Sequence, residues 1–188
     1  FLKKLGCKIK ILTKRSIDVT GIKKLKSVTH KVIFDRIEAG TYIIAAALTN
    51  GHLKIKSVNP KFMAAEINLL RKMNVKIIEK KNHIIVTCPK KIKSINVVTE
   101  PYPGFPTDLQ AQWMALMSLS EGTSMIKENI YTDRFTHISE LTRMGADIIL
   151  NDNIATIHGH ESLYAAPVMC TDIRASAALV ISALCAKG

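Results

Sequence analysis

The stretch GHLKIKSVNPKFMAAEINLLRKMNVKII, residues 51–78, returns 71 residues later as GTSMIKENIYTDRFTHISELTRMGADII, residues 122–149, without a gap. Each copy begins with a glycine that closes a helix and continues as an alternating strand, a second helix and further strands. A third copy begins within 171–188, with Gly188 in the place of Gly122, and residues 2–9 parallel residues 70–77 as the tail of another copy. A repeat of this length predicts one supersecondary unit built several times around a common axis.

Two helices of the repeat are apolar on almost every side, at 35–49 and 174–186. This pattern is typical of helices that are buried all round. The strands instead alternate apolar and polar residues, as at 53–56, which indicates sheets that face solvent on one side. The sequence therefore predicts an α/β fold with helices inside and sheets outside. A rigid loop rich in Pro and Gly is expected at 100–106, and a hinge near 32–35.

Positive charge is concentrated in the first half of the chain. The net charge is +12, with 22 Lys and Arg against 5 Asp and Glu in residues 1–99, and 5 against 10 in residues 100–188. The basic residues are mostly scattered lysines, and five Phe and four Tyr give few platforms for stacking on bases, so no nucleic-acid partner is expected. A basic RNA-binding module on a similar repeat is the alternative, and it predicts RNA affinity that falls steeply with salt.

Membrane insertion and metal binding are not expected either. No apolar run approaches the roughly 20 residues of a spanning helix, and residues 1–4 lack a signal-peptide pattern. The four cysteines have no C-x-x-C spacing, which predicts buried, reduced thiols and a cytoplasmic location. His158 and His160 share a strand face, but without a third ligand exposed histidines are favoured over a metal pair.

Two residues at predicted helix starts are candidates for chemistry. Arg174 comes three residues after Thr171, the predicted N-cap, where free N–H groups and the helix dipole disfavour a cation. It is interpreted either as an anion-binding residue or as half of a structural salt bridge. Asp108 follows Thr107, which forms a capping-box pattern with Gln110. Asp108 is interpreted either as a complement to the helix dipole or as a ligand contact.

Arg134 is a third candidate, at the predicted start of the second helix in its repeat. The preceding repeat carries Met63 at the equivalent position, so the repeat does not need an arginine there to fold. Together with Arg174 it suits a clamp for a carboxylate or phosphate. His137 lies one turn further along, and it is interpreted either as a support for this site or as a surface histidine.

Four motifs together resemble a known family in their order and spacing: FPTDLQAQ at 105–112, DRFTH at 133–137 followed by ELTRMGA at 140–146, TDIRASA at 171–177, and DRIEAGT at 35–41. Over the whole chain they resemble the UDP-N-acetylglucosamine 1-carboxyvinyltransferases, the enolpyruvyl transferases that begin peptidoglycan precursor synthesis. The resemblance implies a partial inside-out α/β barrel of the enolpyruvyl transferase type, with βαβαββ repeats around a pseudo-threefold axis. It also implies that residues 1–32 end one domain, and that residues 33–188 form most of a second, catalytic domain truncated in its last repeat.

The resemblance also implies substrates and site residues. The family transfers the enolpyruvyl group of phosphoenolpyruvate to the 3-hydroxyl of UDP-N-acetylglucosamine without a cofactor and releases phosphate. Asp108 matches the aspartate that contacts this hydroxyl as its base, with Thr107 beside it in the substrate-binding set. Ile130 matches a position whose backbone contacts the nucleotide sugar. Arg134 and Arg174 match arginines that hold phosphoenolpyruvate.

Three other parts of the family's site have no counterpart in the sequence: an early Lys-Asn pair, a loop with a proton-donating Cys or Asp, and a late Arg. The chain is therefore expected to be an internal part of a longer enzyme, inactive by itself and only marginally stable. The related 3-phosphoshikimate 1-carboxyvinyltransferase is the alternative within the class, but the residues at 107–112 and 133–135 fit the sugar-nucleotide enzyme better.

Overall fold

The computed structural model describes residues 1–188, which form two compact units, Phe1–Ile33 and Phe34–Gly188. The first unit contains an antiparallel hairpin of β1 (Lys8–Thr13) and β2 (Ser16–Thr20). Membership of residues 1–32 in a separate domain stays a prediction. No helix of the chain has both the length and the apolar character needed to cross a membrane.

The second unit opens with one repeat that carries a three-stranded sheet. Its elements are α1 (Arg36–Leu48), β3 (His52–Lys56), a 3-10 turn (Pro60–Met63), α2 (Ala64–Lys72), β4 (Lys76–Lys80) and β5 (His83–Thr87). Strand β5 lies between β3 and β4 and pairs antiparallel with both.

The next repeat has the full βαβαββ order that was predicted. Its elements are β6 (Val97–Val98), a 3-10 turn (Thr107–Leu109), α3 (Gln110–Ser118), β7 (Thr123–Lys127), α4 (His137–Arg143), β8 (Asp147–Asn151) and β9 (Ile154–His158). The sheet runs β6-β7-β9-β8, with β6 parallel to β7 and the other pairs antiparallel. Helix α5 (Ile173–Ala183) begins the third copy.

Backbone hydrogen bonds confirm the repeat. Gly6, Asn74 and Gly145 all have positive φ, of 105°, 70° and 93°. After each of them the next residue donates its N–H to the carbonyl five positions back, which is the Schellman ending of a helix. These bonds are Cys7 to Leu2, Val75 to Leu70 and Ala146 to Leu141, at 3.1, 3.0 and 3.0 Å. Residues 2–9 are therefore the tail of a further copy, as predicted.

A cross-strand pair also recurs, with its two partners exchanged. His52 Nδ1 lies 2.9 Å from Thr87 Oγ1 between β3 and β5. At the equivalent positions of β7 and β9, Thr123 Oγ1 lies 3.0 Å from His158 Nδ1. One ring nitrogen of His158 is thus engaged in a structural contact that the first repeat makes with the same chemistry.

The helices lie inside and the sheets outside, as the sequence predicted. All nine residues of α3 are buried, and this helix packs against α1 and α5. The other two are less completely covered, because Tyr42 of α1 and Val180 of α5 are exposed. The prediction that these helices are buried all round is wrong for α1 and α5, since no other part of the chain covers those two side chains.

Helix α5 ends at Ala183, three residues earlier than predicted. The chain leaves the helix because Lys187 pairs with the segment after β9, donating to Leu163 O and accepting from Ala165 N, both at 2.9 Å. This bridge, between Tyr164 and Lys187, repeats the parallel bridge between Lys93 and Glu121. It therefore confirms that Gly188 takes the place of Gly122.

Candidate active site

The candidate site lies where inner helices of successive repeats begin. The N-caps are Asp35 for α1, Pro106 for the 3-10 turn that leads into α3, and Asp172 for α5. Asp108 and Arg174 are each the second residue after their cap. The structure brings these two side chains together, with Arg174 Nη2 donating to Asp108 Oδ2 at 3.4 Å.

Asp108 is held between two guanidinium groups. Arg134 Nη1 donates to Asp108 Oδ1 at 2.6 Å, while Arg174 approaches the other carboxylate oxygen. The side chains of Asp108, Arg134 and Arg174 are 36%, 25% and 29% exposed. Two cations around one carboxylate leave a net positive, solvent-reachable cluster with unused N–H donors, which suits an incoming carboxylate or phosphate.

The sequence predicts Arg134 at the start of a helix, and this prediction is wrong. Helix α4 begins at His137, and Arg134 lies in the preceding turn, donating its backbone N–H to Tyr131 O at 3.0 Å. Its guanidinium carbon lies 5.4 Å from the centre of the Tyr131 ring. The side chain reaches Asp108 from this turn rather than from a helix, so the helix dipole has no part in its placement.

The two predicted caps are also wrong. Asp172, not Thr171, caps α5, because its carboxylate accepts from Arg174 N at 2.8 Å and from Ala175 N at 3.0 Å. These backbone bonds, with that from Ala175 first, lower the pKa of Asp172. Near α3 no capping box forms. A 3-10 turn precedes the helix, so Gln110 points into the interior with neither amide atom hydrogen-bonded.

The hydroxyl of Thr107 is hydrogen-bonded to Glu128, a residue that sequence reasoning missed. Its Oγ1 donates to Glu128 Oε2 at 2.9 Å and accepts from Arg134 Nη1 at 3.3 Å. The other oxygen of Glu128 accepts the backbone N–H of Ile130 at 2.8 Å. In the sequence, Glu128 differs from its surroundings in one respect. It is an acidic residue after β7, whereas the equivalent position of the preceding repeat is Ser57.

A groove of about 260 Å³ runs along Thr107, Asp108 and Ile130. Its other wall includes Arg36, at the start of α1, and Tyr102, in the loop at 100–106. The Arg36 guanidinium lies 4.9 Å from the centre of the Tyr102 ring, a cation–π contact. Arg134 and Arg174 do not line the groove, but both contact Asp108, which does. The five predicted site residues therefore lie in one region.

His137 is buried, with 1% of its surface exposed, so its interpretation as a surface histidine is wrong. His137 is the first residue of α4, and this helix packs against α5. Burial lowers the pKa of His137 to about 4, while the charge of Asp172 raises it by less and that of Arg134 lowers it slightly further. The imidazole is thus neutral at physiological pH, and its Nε2 has no hydrogen-bond partner.

The remaining histidines and cysteines form no metal site. No group of three or more His, Cys, Asp or Glu side chains is arranged to hold an ion. His160 is half-exposed, 4.0 Å from Asp147. All four cysteines are free, and burial raises the pKa of Cys88 to about 11. Cys7, Cys88 and Cys185 are half-buried and Cys170 is exposed, so the prediction of buried thiols is wrong, most clearly for Cys170, which lies in the open segment before α5.

Comparison with known proteins identifies the family. The model of the EPSP synthase (3-phosphoshikimate 1-carboxyvinyltransferase) family matches residues 1–188. The chain belongs to this family. Solved structures show the same fold: the enolpyruvyl transferase NikO from Streptomyces tendae superposes with a TM-score of 0.86 at 24% identity, over 97% of this chain and 44% of that one. EPSP synthase from Acinetobacter baumannii gives 0.74 at 18% identity, over 100% and 47%. The predicted enolpyruvyl transferase fold is confirmed.

Curated relatives within the family confirm the resemblance to the sugar-nucleotide branch. The chain is 52% identical over 188 residues to a UDP-N-acetylglucosamine 1-carboxyvinyltransferase of Pelagibacter ubique, covering 100% of this chain and 45% of the relative. It is 49% identical over 181 residues to the enzyme of the same name from Geotalea daltonii, covering 96% and 43%. The chain thus spans just under half the length of these relatives.

Proposed function

We propose that this chain is the Asp/Arg-bearing part of an enzyme that transfers the enolpyruvyl group of phosphoenolpyruvate to the 3-hydroxyl of UDP-N-acetylglucosamine. The reaction releases phosphate and commits the sugar nucleotide to peptidoglycan, and hence to cell-wall synthesis, cell shape and cell division. The observation that carries the proposal is the Asp108 carboxylate, which is held between two arginines beside an open groove. The 52% and 49% identical relatives favour this acceptor.

Each site residue has a role that follows from its chemistry. Arg134 and Arg174 hold the carboxylate and phosphate of phosphoenolpyruvate, since guanidinium groups bind such anions with paired hydrogen bonds. The anions compete with Asp108 for these donors. Asp108 is then released to accept the proton of the sugar 3-hydroxyl as it attacks C2 of phosphoenolpyruvate. Thr107 and Ile130 line the same groove, and both position the acceptor sugar, Ile130 through its backbone.

The reaction balances in two steps. In the addition, the double bond of phosphoenolpyruvate opens as the sugar oxygen bonds to C2, the methylene carbon takes a proton from the Cys or Asp of the family's donor loop, and the hydroxyl proton passes to Asp108. In the elimination, the new methyl group loses a proton, the double bond reforms, and phosphate leaves with the electrons of its C–O bond. The arginines stabilise the charge that builds up on the departing phosphate. No step requires a cofactor. We assign the reaction to the cytoplasm, where the free thiols of the chain stay reduced.

Phosphate release by the full-length enzyme tests the proposal. We expect turnover with UDP-N-acetylglucosamine and none with shikimate 3-phosphate. The reverse result would assign the enzyme to the alternative acceptor. Asp108→Asn should lower kcat by about a hundredfold or more. Asp152→Asn is the matched control, because Asp152 lies in the turn between β8 and β9 with φ of 51°, a conformation that Asn also adopts readily. The proposal fails if Asp108→Asn keeps full activity.

The RNA-binding alternative gains no support from these comparisons. The relatives and structures described above are all named as enolpyruvyl transferases. Filter binding of RNA at two salt concentrations tests it directly, because tight and salt-sensitive retention is the signature of phosphate contacts.

A further inference from the structure

Glu128 is a buried carboxylate whose surroundings are entirely hydrogen-bond donors. It follows β7 and is fully shielded from solvent. Its Oε1 accepts from Thr99 Oγ1 at 2.6 Å, from Ile130 N at 2.8 Å and from Tyr131 N at 3.0 Å. Its Oε2 accepts from Thr107 Oγ1 at 2.9 Å. Four donors compensate for the loss of water around this group, so the carboxylate fixes both the turn at Ile130 and the direction of the Thr107 hydroxyl.

The direction of that hydroxyl determines what Arg134 can contact. A carboxylate without a proton only accepts hydrogen bonds, so Thr107 must donate toward Glu128. The lone pairs of Thr107 Oγ1 then face Arg134 Nη1, at 3.3 Å. The same nitrogen donates to Asp108 at 2.6 Å. A single hydrogen-bonded chain therefore runs from Glu128 through Thr107 and Arg134 to Asp108.

The preceding repeat shows that its fold does not require this acid. The position equivalent to Glu128 is Ser57, which is exposed and has φ of 62°. The chain still passes there from a strand into a 3-10 turn and a helix. Burying a carboxylate is costly unless every partner is in place. The extra cost in the second repeat is borne beside the residues of the candidate site, where the carboxylate holds the Ile130 turn and the Thr107 hydroxyl together.

We propose that Glu128 is a positioning residue for catalysis, which orients Arg134 toward phosphoenolpyruvate by fixing the polarity of the Thr107 hydroxyl. The identity of the substrates in this statement rests on the proposed function above. Glu128 touches no substrate itself. Its effect passes through Thr107, so the two residues act as one unit on turnover.

Glu128→Gln reverses this polarity while it preserves the shape of the side chain. The amide oxygen takes the place of Oε1, because two backbone N–H groups point there. The amide NH₂ must then donate to Thr107, whose hydroxyl proton turns toward Arg134 and opposes it. We expect kcat to fall at least about tenfold, while KM for UDP-N-acetylglucosamine changes less than about twofold because the Ile130 turn keeps its acceptor. A purely structural role predicts instead a lower melting temperature with kcat unchanged for the folded fraction.

Thr107→Val breaks the same link from the other end and does not depend on whether Glu128→Gln folds. It should lower kcat by a similar factor, and the double variant should lose no more than either single variant, because the two act through one contact. Glu140→Gln is the control. It changes another buried glutamate of the repeat, which accepts from Met169 N at 2.9 Å, and should leave kcat within twofold.

The proposal is overturned if folded Glu128→Gln or Thr107→Val keeps kcat within twofold, or if their effects multiply in the double variant. Each factor is measured against the unmodified full-length enzyme with the acceptor that it turns over. If the enzyme turns over shikimate 3-phosphate, the proposed substrate is refuted. The role of Glu128 is then still tested, by the kcat of the variants with that acceptor.

Discussion

Asp108 and Arg174 occupy the same position in successive repeats, and their side chains meet 3.4 Å apart. Each is the second residue after the N-cap of its helical segment, and Ile37 holds that position in the first repeat. The repeated backbone thus presents an apolar, an anionic and a cationic side chain at three equivalent helix starts. An asymmetric site arises on a nearly symmetric scaffold because the side chains at these positions differ.

Arg174→Gln separates a role in substrate binding from a role in folding. The cation lies in the first turn of α5, where the dipole opposes it, and its contact with Asp108 is long and partly exposed. We expect the free energy of unfolding to hold or rise by about 0.3–1 kcal/mol. In the full-length enzyme kcat should fall about a hundredfold, the scale of losing a charge-stabilising donor. Melting and phosphate release are measured on one preparation.

The control for this prediction is Arg143→Gln, an exposed arginine in the last turn of α4. The free energy of unfolding and kcat of this variant should both stay close to those of the unmodified enzyme. If Arg174 instead formed a structural buried ion pair, its loss would cost about 3–5 kcal/mol. A destabilised Arg174→Gln variant with nearly normal turnover would end the functional interpretation.

Asp172 stabilises the start of α5 through its side chain. Asp172→Ala removes two hydrogen bonds to backbone N–H groups and should lower the free energy of unfolding by about 0.5–2 kcal/mol at pH 7, whereas Asp172→Asn should retain most of it. The native pKa of Asp172 lies below 3.8, so its charged form contributes stability above pH 3.8. This contribution is lost as the pH falls through the native pKa. Urea unfolding checks both points, and equal losses for Ala and Asn would show that capping is not the cause.

The repeat and the candidate site residues could be named from the sequence because both depend on local pattern. A gapless match of 28 residues fixes the order of elements, and a cation at a helix start, as at Arg174, is conspicuous against the dipole rule. The position of Asp108 beside Arg174 follows once the third copy is aligned at Gly188. The contact of Arg134 with Asp108 was not predicted, since Arg134 reaches Asp108 from a turn and not from the helix start that the sequence indicated.

The errors share a physical origin, which is that tertiary contacts choose between locally similar options. Thr171 and Asp172 are both good caps, and the backbone direction into α5 selects the second. His137 is buried because α4 packs against α5, a contact that periodicity in seven residues does not reveal. Glu128 resembles an ordinary acid at a strand end. Only the comparison with Ser57, at the same place in the first repeat, marks it as unusual.

Gly145 is required at the end of α4 by its backbone conformation. Its φ is 93°, and an added Cβ would lie 3.1 Å from the Tyr164 ring. We expect Gly145→Ala to lower the free energy of unfolding by about 1–2 kcal/mol. Gly21→Ala is the control, because a Cβ added at Gly21 would have no atom within 4 Å, and the change should be neutral or slightly stabilising. Equal effects at the two positions would contradict the conformational argument.

His137 makes stability depend on pH in a defined window. Burial lowers its pKa to about 4 from 6.5, so the unfolded chain binds a proton between these values while the native chain does not. The free energy of unfolding therefore rises with pH from about 4 to 6.5, and this group adds no further change above 6.5. Over the whole window the contribution is roughly 3 kcal/mol, from 1.36 kcal/mol per pH unit.

His137→Gln removes this titration and should flatten the same window in urea unfolding measured at several pH values. His160→Gln is the matched control, since that ring is half-exposed, 4.0 Å from Asp147, and its loss should leave the slope in place. The neutral ring of His137 has an Nε2 without a partner, so the variant should not lose stability at pH 7 through a broken hydrogen bond. If the free energy of unfolding of His137→Gln changed with pH as steeply as that of the unmodified protein, other groups would take up the protons. The buried imidazole would then not be the cause of the pH dependence.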